Sequence, residues 1–443
     1  MSGHSIANDI RTMLRIAVPL ALAELGWMAM SVVDNIMVGG LPDSALAIGS
    51  TSVGSALFYG VAIFGLGTMS GLDTLVSQAF GAGDWKAGRK ALAAGLALAL
   101  LLAPLLMLVV LAGAPLLGVI GVRPEVLKGA LEFNRILLWS LPPLFVYATF
   151  RRYLQGIHYV RPVTFGLITA NLVNLFGNWL LIYGNWGAPA MGIRGSALST
   201  VIARIYLALV MLVAVRLRDP ELLRGLRPDF SHMKVLLKLG LPAGITIGLE
   251  VGIFNLATAV AGRLDAVSLA SHTIALNAAA VTYMVPLGIA SAAAVSVGRA
   301  IGAGDRKGAL RAGWTAIGLT VAFESCTAVA FFTLARSIAS VYTRDERVIS
   351  FVSVLFVIAA IFQLFDGLQT VATGALRGLG NTRTPMVWNL VGYWVITLPL
   401  GYWWCFRSGL GAVGLWYGLC LGLFLIGMGL TWVWARESRR MAA

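Results

Sequence analysis

Acidic side chains lie inside long apolar runs of this sequence, and the clearest are Asp34, Glu250 and Asp366. On insertion scales, a charged side chain at the centre of a bilayer costs about 2.5–3.5 kcal/mol, so such a residue normally faces a cavity and has a function. Carboxylate and amide oxygens are suitable ligands for a proton or a hard cation. These residues therefore predict cation binding within an apolar protein.

Three asparagines in the first half of the chain could complete a site with Asp34. Asn171, Asn174 and Asn178 are three and four residues apart, so on a helix they share one face within an arc of about 40–60°. Three amides facing lipid would be costly, which predicts an inward orientation. The amides alone could equally form a hydrogen-bond zipper between helices, and the presence of Asp34 favours the cation site.

The second half of the chain carries a comparable polar pattern. Thr246 precedes Glu250 by one helical turn, and a later stripe has the spacing i, i+3, i+7 and i+10. The members of this stripe are Gln363, Asp366, Thr370 and Thr373. If Glu250 and Asp366 face one cavity, desolvation and mutual repulsion allow one of them to take up and release a proton. The alternative is an acid paired with a basic side chain. Since Arg204 is the one Arg predicted in mid-span, and no Lys is predicted there, at most one acid could be neutralised in that way.

Two further charged candidates have roles that the sequence leaves open. Arg204 could pair with Asp34 or with Glu24, or it could extend to a membrane interface. Glu24 lies about 80° around the helix from Asp34 and is therefore assigned to a different site. Asp73 and Glu324 are nearer the ends of their apolar runs, where structural or interfacial roles are expected.

The elements that must position these residues are membrane-spanning helices. The chain has 443 residues, of which 58% are hydrophobic and only 12% are charged, about half the charged fraction of a soluble domain. This composition excludes a soluble globule and a disordered chain. Because a span needs about 20 apolar residues, we predict twelve spans. They are 14–38, 45–75, 90–118, 131–154, 162–184, 191–216, 235–261, 267–297, 308–335, 348–376, 385–406 and 410–435.

The net charge of +14 indicates membrane orientation rather than nucleic-acid binding, because the basic residues lie in short gaps between apolar runs. Lys and Arg are concentrated at both termini and in the gaps after even-numbered spans, so both termini are predicted to be cytoplasmic. The long charged gap from Arg216 to Lys238 is predicted to be a linker on the membrane surface. The three cysteines have no metal-site spacing, and no removable signal peptide is predicted.

The two halves of the chain resemble each other. VSQAFGAGDWKAGRKA, at residues 76–91, matches VGRAIGAGDRKGALRA, at residues 297–312, and Pro19 and Pro242 are separated by the same offset to within two residues. An offset of six spans returns the chain to the same side of the membrane, so the halves are predicted to be parallel repeats. The predicted domains, of six helices each, are residues 1–220 and 221–443.

Taken together, these segments resemble the multidrug and toxic compound extrusion transporters, most closely their NorM-like branch. The resemblance covers nearly all twelve spans. It is carried by AVPLALAELGWMAMSVVDNIMVGGL, GLDTLVSQAFGAGD, NLFGNWLLIYG, LASHTIALNAA and FQLFDGLQTVATGALRGLGNTRTP. It implies an all-α membrane protein with twelve helices, in two pseudo-symmetric six-helix bundles around a central cavity.

The resemblance also implies a set of site residues. In the first half these are Asp34, Asn174, Asn178 and Thr200, and in the second half they are Glu250 and Asp366. Sodium is a candidate ion at Asp34 or at Glu250 with Asp366. Sodium-coupled relatives carry a tyrosine one turn before the second-half aspartate, where this chain has Phe362, and this departure weakens a sodium assignment. The further candidates are Glu24, Arg204, Gln363 and Asn171.

The expected function is a secondary antiporter of the bacterial inner membrane, not an enzyme. It would export amphipathic, cationic drugs or metabolites in exchange for protons or sodium ions, act as a monomer in the lipid bilayer, and require no cofactor beyond the coupling ion. The alternative within the same superfamily is a flippase for lipid-linked sugars, but six embedded acids against one Arg disfavour pyrophosphate binding. An intramembrane transferase would need a metal or nucleophile motif that the sequence lacks, and nothing indicates the filter loop of a channel.

Overall fold

The computed structural model describes residues 6–119, 121–221 and 229–442, and this part of the chain is helical, with no β-strand. Its α-helices are α1 Ile6–Gly39, α2 Ser44–Met69, α3 Gly71–Gly81, α4 Trp85–Val119, α5 Pro124–Leu137, α6 Leu141–Gly156, α7 Arg161–Tyr183, α8 Ile193–Arg218, α9 Phe230–Ala261, α10 Ala266–Gly302, α11 Arg306–Thr333, α12 Ala335–Tyr342, α13 Glu346–Gly378, α14 Arg383–Asn389, α15 Leu398–Phe406 and α16 Gly411–Ala442. The predicted linker between Arg216 and Lys238 includes residues 222–228, which lie outside the described ranges.

Ten helical stretches of the described chain are long and apolar enough to cross a membrane. The other two predicted spans are interrupted helices. A 3-10 turn, Leu138–Ser140, joins α5 to α6, and a π-helical segment, Leu390–Thr397, joins α14 to α15. Both α6 and α15 carry proline in the first turn, and proline lacks the N–H that a regular α-helix would donate there. The all-α fold class predicted from the sequence is thus confirmed.

Large apolar side chains remain exposed along these helices, as expected for contact with lipid. In α4, Leu100, Leu101 and Leu108 are each at least 60% exposed. A contiguous apolar surface of this kind would be unfavourable in water. The molecule is therefore a multi-pass membrane protein.

The described chain forms two compact units. The N-lobe is Leu22–Gly244, and the C-lobe comprises Met1–Ala21 and Ile245–Ala443. The two divisions fall inside α1 and α9, two residues after Pro19 and Pro242 respectively, where proline interrupts the helical hydrogen bonds. The domain division predicted from the sequence repeats, residues 1–220 and 221–443, stays a prediction.

The two Gly-Ala-Gly-Asp segments adopt the same turn, one in each lobe. Gly83 and Gly304 have φ of +72° and +71°, a left-handed conformation that glycine adopts without steric cost. Asp84 then accepts a 2.9 Å hydrogen bond from the backbone of Ala87, and Asp305 accepts one of 2.7 Å from Gly308. These aspartates begin the helices α4 and α11, so their role is structural.

Close packing of small residues holds the central helices of the C-lobe together. The segment of α10 from Ala290 to Ala294 is buried, and α13 packs against it through Gly374, where a β-carbon would lie only 2.9 Å from the Cα of Ala290. Small residues at such contacts allow helix backbones to approach in a membrane. This contact fixes the position of α13, which carries Gln363 and Asp366.

Candidate functional site

Asp34 of α1 is bound by polar side chains of α7 and α8 in the N-lobe. Asn178 donates a hydrogen bond of 2.6 Å to its Oδ1, and Thr200 donates one of 3.3 Å to its Oδ2. Asn178 also contacts the amide oxygen of Asn174 at 3.3 Å. Within the described chain, no Lys or Arg nitrogen lies within 4 Å of Asp34. The carboxylate is therefore hydrogen-bonded and has no direct basic contact, although Arg204 interacts with it electrostatically from beyond ion-pair distance.

A small cavity lies beside Asp34. Its volume is about 30 Å³, room for roughly one water-sized occupant. Its polar lining comes from α1, α2 and α8. The residues are Ser31, Asp34, Asn35, Thr51, Ser55, Tyr59, Ser196 and Thr200. The arrangement offers hydroxyl and carboxylate oxygens to a single proton carrier or a small cation.

The three asparagines of α7 do not act as one set. Asn174 and Asn178 are fully buried and adjoin Asp34, whereas the amide of Asn171 donates to the backbone oxygens of Gly26 and Leu167 at 2.9 and 2.8 Å. The three amides of the predicted common face therefore have different hydrogen-bond partners. Asn171 makes an interhelical hydrogen bond to the backbone of α1, and its part in a cation site remains a prediction.

Arg204 occupies an aromatic enclosure in the N-lobe. Its guanidinium lies 5.7, 5.0 and 5.6 Å from the ring centroids of Trp27, Phe58 and Tyr59. It donates hydrogen bonds of 2.5 Å to Ser140 and 2.8 Å to the hydroxyl of Tyr59, and the residue is only 1% exposed. It forms no ion pair with Asp34 or Glu24 and does not extend to an interface. Cation–π contacts and hydrogen bonds stabilise this buried charge instead.

Two other acids of the N-lobe are neutralised by arginines of α6. Glu24 forms an ion pair with Arg151, and Asp73 pairs with Arg152 at 3.0 Å. The inference that at most one embedded acid could be neutralised was therefore wrong. The error arose because α6 ends at Gly156, one turn after these arginines, and the sequence did not indicate that they turn inward. Both acids have structural partners in the fold.

Glu250 of α9 is the acceptor at the end of a chain of two hydroxyl groups in the C-lobe. Tyr283 of α10 donates a 2.8 Å hydrogen bond to Glu250 Oε1, and Thr370 of α13 lies 3.1 Å from the same tyrosine hydroxyl. The sequence did not single out Tyr283. It follows Thr282 and lies one turn before Pro286 in a largely apolar stretch, where a tyrosine could have been noticed.

Asp366 of α13 is 6% exposed, and its Oδ1 has no hydrogen-bond partner among the described residues. It interacts electrostatically with Glu250 and with Glu324. No Lys or Arg nitrogen of the described chain lies within 4 Å of these three acids. Glu250 and Asp366, which were predicted to be neighbours, thus interact electrostatically. Glu324, for which the sequence favoured a structural or interfacial role, interacts with Asp366 as well.

Gln363 joins three helices next to this site. Its amide oxygen accepts a 2.9 Å hydrogen bond from Thr282 of α10, and its amide nitrogen donates one of 2.7 Å to Thr327 of α11. Thr327 in turn donates a 2.6 Å hydrogen bond to Glu324. A signal for this arrangement was present in the sequence, because Thr320, Glu324 and Thr327 share one helix face.

Phe362 is packed among aromatic rings. Its centroid lies 5.9 Å from that of Phe254 and 5.3 Å from that of Trp416, and the residue is 1% exposed. Phe362 precedes Asp366 by one helical turn, so this aromatic cluster adjoins the polar stripe on the same face of α13.

Comparisons with known proteins agree with this fold. A family profile described as MatE matches residues 19–180 and again residues 242–403, once in each half of the chain. A "Probable multidrug resistance protein NorM" from Mesorhizobium japonicum is 35% identical over 98% of this chain and 95% of that protein. A "Multidrug resistance protein NorM" from Burkholderia vietnamiensis is 37% identical over 94% of this chain and 92% of that protein. The crystal structure of the eukaryotic MATE transporter AtDTX14 superposes with a TM-score of 0.88, at 20% identity and 98% coverage of both chains.

Proposed function

The chain belongs to the multidrug and toxic compound extrusion family of transporters, in its NorM-like branch, and we propose that it exports drugs in exchange for protons or sodium ions. The relatives named above are multidrug resistance proteins, which supports drugs as the transported class. The protein is a transporter rather than an enzyme. Asp34, Glu250 and Asp366 are the proposed cation-binding residues.

The contrast between paired and unpaired acids carries this proposal. Glu24 and Asp73 have arginine partners within 4 Å, whereas Asp34, Glu250 and Asp366 have none at that distance in the described chain, and Arg204 interacts with Asp34 only from farther away. A charge that is removed from water without a partner is costly, and binding a proton or a cation relieves the cost. The unpaired acids are therefore the groups whose occupancy can change during a transport cycle.

Coupling requires that cation and drug favour different conformations. A ligand that binds both conformations equally shifts neither, so the carboxylates must bind the cation more tightly in one conformation than in the other. Each elementary charge that crosses the membrane contributes about 2.3 kcal/mol per 100 mV. Inward movement of the cation can thus drive outward movement of the drug against its gradient.

We expect the substrates to be amphipathic organic cations, since carboxylates and aromatic rings attract positive charge. We also expect a monomer in the bacterial inner membrane with both termini in the cytoplasm, on the basis of the distribution of Lys and Arg. A lipid-linked-sugar flippase has less support. The N-lobe arginines Arg151 and Arg152 are engaged with acids and are not available for a pyrophosphate.

Dye efflux from proteoliposomes tests the proposal, with proton and sodium gradients imposed separately. Asp34→Asn, Glu250→Gln and Asp366→Asn should each reduce gradient-driven efflux, while Glu346→Gln, at a surface acid whose side chain is 71% exposed, should not. Normal coupled efflux in all three site variants would refute the assignment of these residues. Efflux that no ion gradient drives would refute the antiport mechanism itself.

A further inference from the structure

Glu324 is a buried acid on α11 that has no assigned role. The residue is 1% exposed, and Thr327 donates a 2.6 Å hydrogen bond to its Oε2. Its other oxygen, Oε1, has no hydrogen-bond partner among the described residues. An unsatisfied carboxylate oxygen in an apolar interior is unfavourable unless a proton or a cation occupies it.

The hydrogen bonds around Thr327 determine which oxygen of Glu324 is free. Gln363 donates its amide proton to the Thr327 hydroxyl, and that hydroxyl lies 2.6 Å from Glu324 Oε2 and 3.0 Å from the backbone oxygen of Glu324, either of which can accept its proton. The Thr282 hydroxyl contacts the oxygen of the Gln363 amide at 2.9 Å and the backbone oxygen of Ala279 at the same distance. Oε2 of Glu324 is thus the oxygen that contacts Thr327, and Oε1, which has no hydrogen-bond partner among the described residues, is the oxygen that can carry a proton.

Glu324 also lies against the segment of α13 that carries Asp366. A β-carbon added at Gly367 would be 2.9 Å from the Cγ of Glu324, so the glutamate side chain packs directly on the backbone next to Asp366. Asp366 Oδ1 likewise has no hydrogen-bond partner in the described chain, and the two acids interact electrostatically. Each helix thus presents a buried carboxylate oxygen without a partner.

Few other ionisable groups face this part of the C-lobe. Asp366 faces Glu324 from α13, and Tyr283 of α10 links to Asp366 through Glu250 of α9. Helix α16 packs against α13 at Gly427, where a β-carbon would be 2.9 Å from the backbone oxygen of Phe365, and this contact involves no ionisable side chain. Within the described chain no Lys or Arg nitrogen lies within 4 Å of Glu324. The local charge is therefore entirely acidic, and like charges at short range disfavour simultaneous ionisation.

We propose that Glu324 is a further proton-binding residue of the transport cycle, which loads and unloads a proton together with Asp366 and Glu250. This inference rests on the proposed function and adds one proton site to it. A proton fits this position because Oε1 of Glu324 and Oδ1 of Asp366 are buried carboxylate oxygens without a hydrogen-bond partner among the described residues. Binding changes no covalent bond other than the O–H bond, which forms at Oε1 on loading and breaks on release.

The number of protons released when a drug binds tests directly whether Glu324 carries a proton. The full-length protein in detergent, in a weakly buffered solution with a pH indicator, is titrated with the dye ethidium, and the number of protons released per bound ethidium is counted. Glu324→Gln keeps the size of the side chain and its acceptor oxygen for Thr327, so ethidium should still bind while fewer protons are released than from the wild type. A wild-type proton count in Glu324→Gln would overturn the proposal.

The same titration separates this inference from the proposed function. Asp366→Asn and Glu250→Gln should also lower the proton count, and Glu346→Gln should leave it unchanged. If those two site variants are affected and Glu324→Gln is not, only the inference on Glu324 fails. If none of the three changes the count, the proposed coupling through the C-lobe fails as well.

Chemical labelling of the wild-type protein covers the case in which Glu324→Gln does not fold. A hydrophobic carbodiimide reacts with protonated carboxyl groups, and peptide mapping identifies the labelled residue. Labelling of Glu324 that decreases when ethidium is bound supports proton displacement. No labelling of Glu324, or labelling that ethidium leaves unchanged, overturns the proposal.

Discussion

Glu24 of α1 and Arg151 of α6 form an ion pair whose side chains are only 13% and 10% exposed. Asp34, ten residues later in the same helix, has hydrogen-bond donors but no basic partner in the described chain. Two acids of one helix thus differ in electrostatic environment. The first is neutralised by its arginine partner, and the second is the carboxylate that we propose to exchange a cation.

Glu24→Gln should destabilise the protein rather than uncouple it. Removing one partner of a buried ion pair costs about 3–5 kcal/mol, because the other charge remains buried without compensation. We expect a lower melting temperature in detergent, and partial recovery in the Glu24→Gln, Arg151→Met double variant. Glu346→Gln, which breaks an exposed pair with Arg336, is the control and should change little. Normal stability with lost ion coupling would contradict this assignment.

Asn178→Leu should impair transport, while Asn171→Leu should not. The first substitution removes a hydrogen bond to the Asp34 carboxylate, worth about 1.5–3 kcal/mol for a charged acceptor, so efflux should fall roughly tenfold or more. Asn171 contacts only backbone oxygens, which makes it a matched control on the same helix. The measurement is gradient-driven dye efflux at equal protein content, and equal loss in both variants would argue against a special role for Asn178.

Arg204→Lys should lower stability although it preserves the charge. A lysine ammonium cannot reproduce the planar contact with the rings of Trp27 and Phe58 while also reaching Ser140 and Tyr59. We expect a loss of about 1–3 kcal/mol, detected as a lower melting temperature. An unchanged melting temperature would show that the positive charge alone is sufficient at this position.

Phe362→Tyr should not introduce sodium coupling. The ring is 1% exposed and packs against Phe254 and Trp416, and we expect a new hydroxyl there to be buried without a partner, at a cost of about 1–3 kcal/mol. We expect reduced stability and no greater response of efflux to an imposed sodium gradient. Efflux that becomes sodium-dependent in this variant would show that the hydroxyl reaches the carboxylates.

Acid should weaken the start of α10, outside the membrane. The hydroxyl and the backbone N–H of Ser268 donate hydrogen bonds to the carboxylate of Asp265, and these bonds lower the pKa of Asp265. Because the pKa in the folded protein lies below that in the unfolded chain, the stabilisation is present above about pH 4 and is lost as the pH falls further. Asp265→Asn retains a capping oxygen but does not titrate, so its melting temperature should vary less below pH 4. An identical acid dependence in both proteins would exclude this cap as a contributor.

The sequence alone was sufficient for the membrane class, the helical fold and the internal repeat. These follow from hydropathy and from the spacing of Gly, Pro and charged residues, and each of those signals is local in the chain. Asp34, Glu250 and Asp366 could also be identified, because a carboxylate within an apolar run can be recognised in the sequence without knowledge of the tertiary structure.

The tertiary structure decided which acids have partners. Arg151 and Arg152 lie more than seventy positions from Glu24 and Asp73 in the chain, and no local pattern indicates that α6 turns them toward these acids. For the same reason the sequence could not show that Arg204 is enclosed by three aromatic rings, or that Glu324 packs against Gly367 beside Asp366. Electrostatic partnership depends on distances between helices, and only helix packing determines those distances.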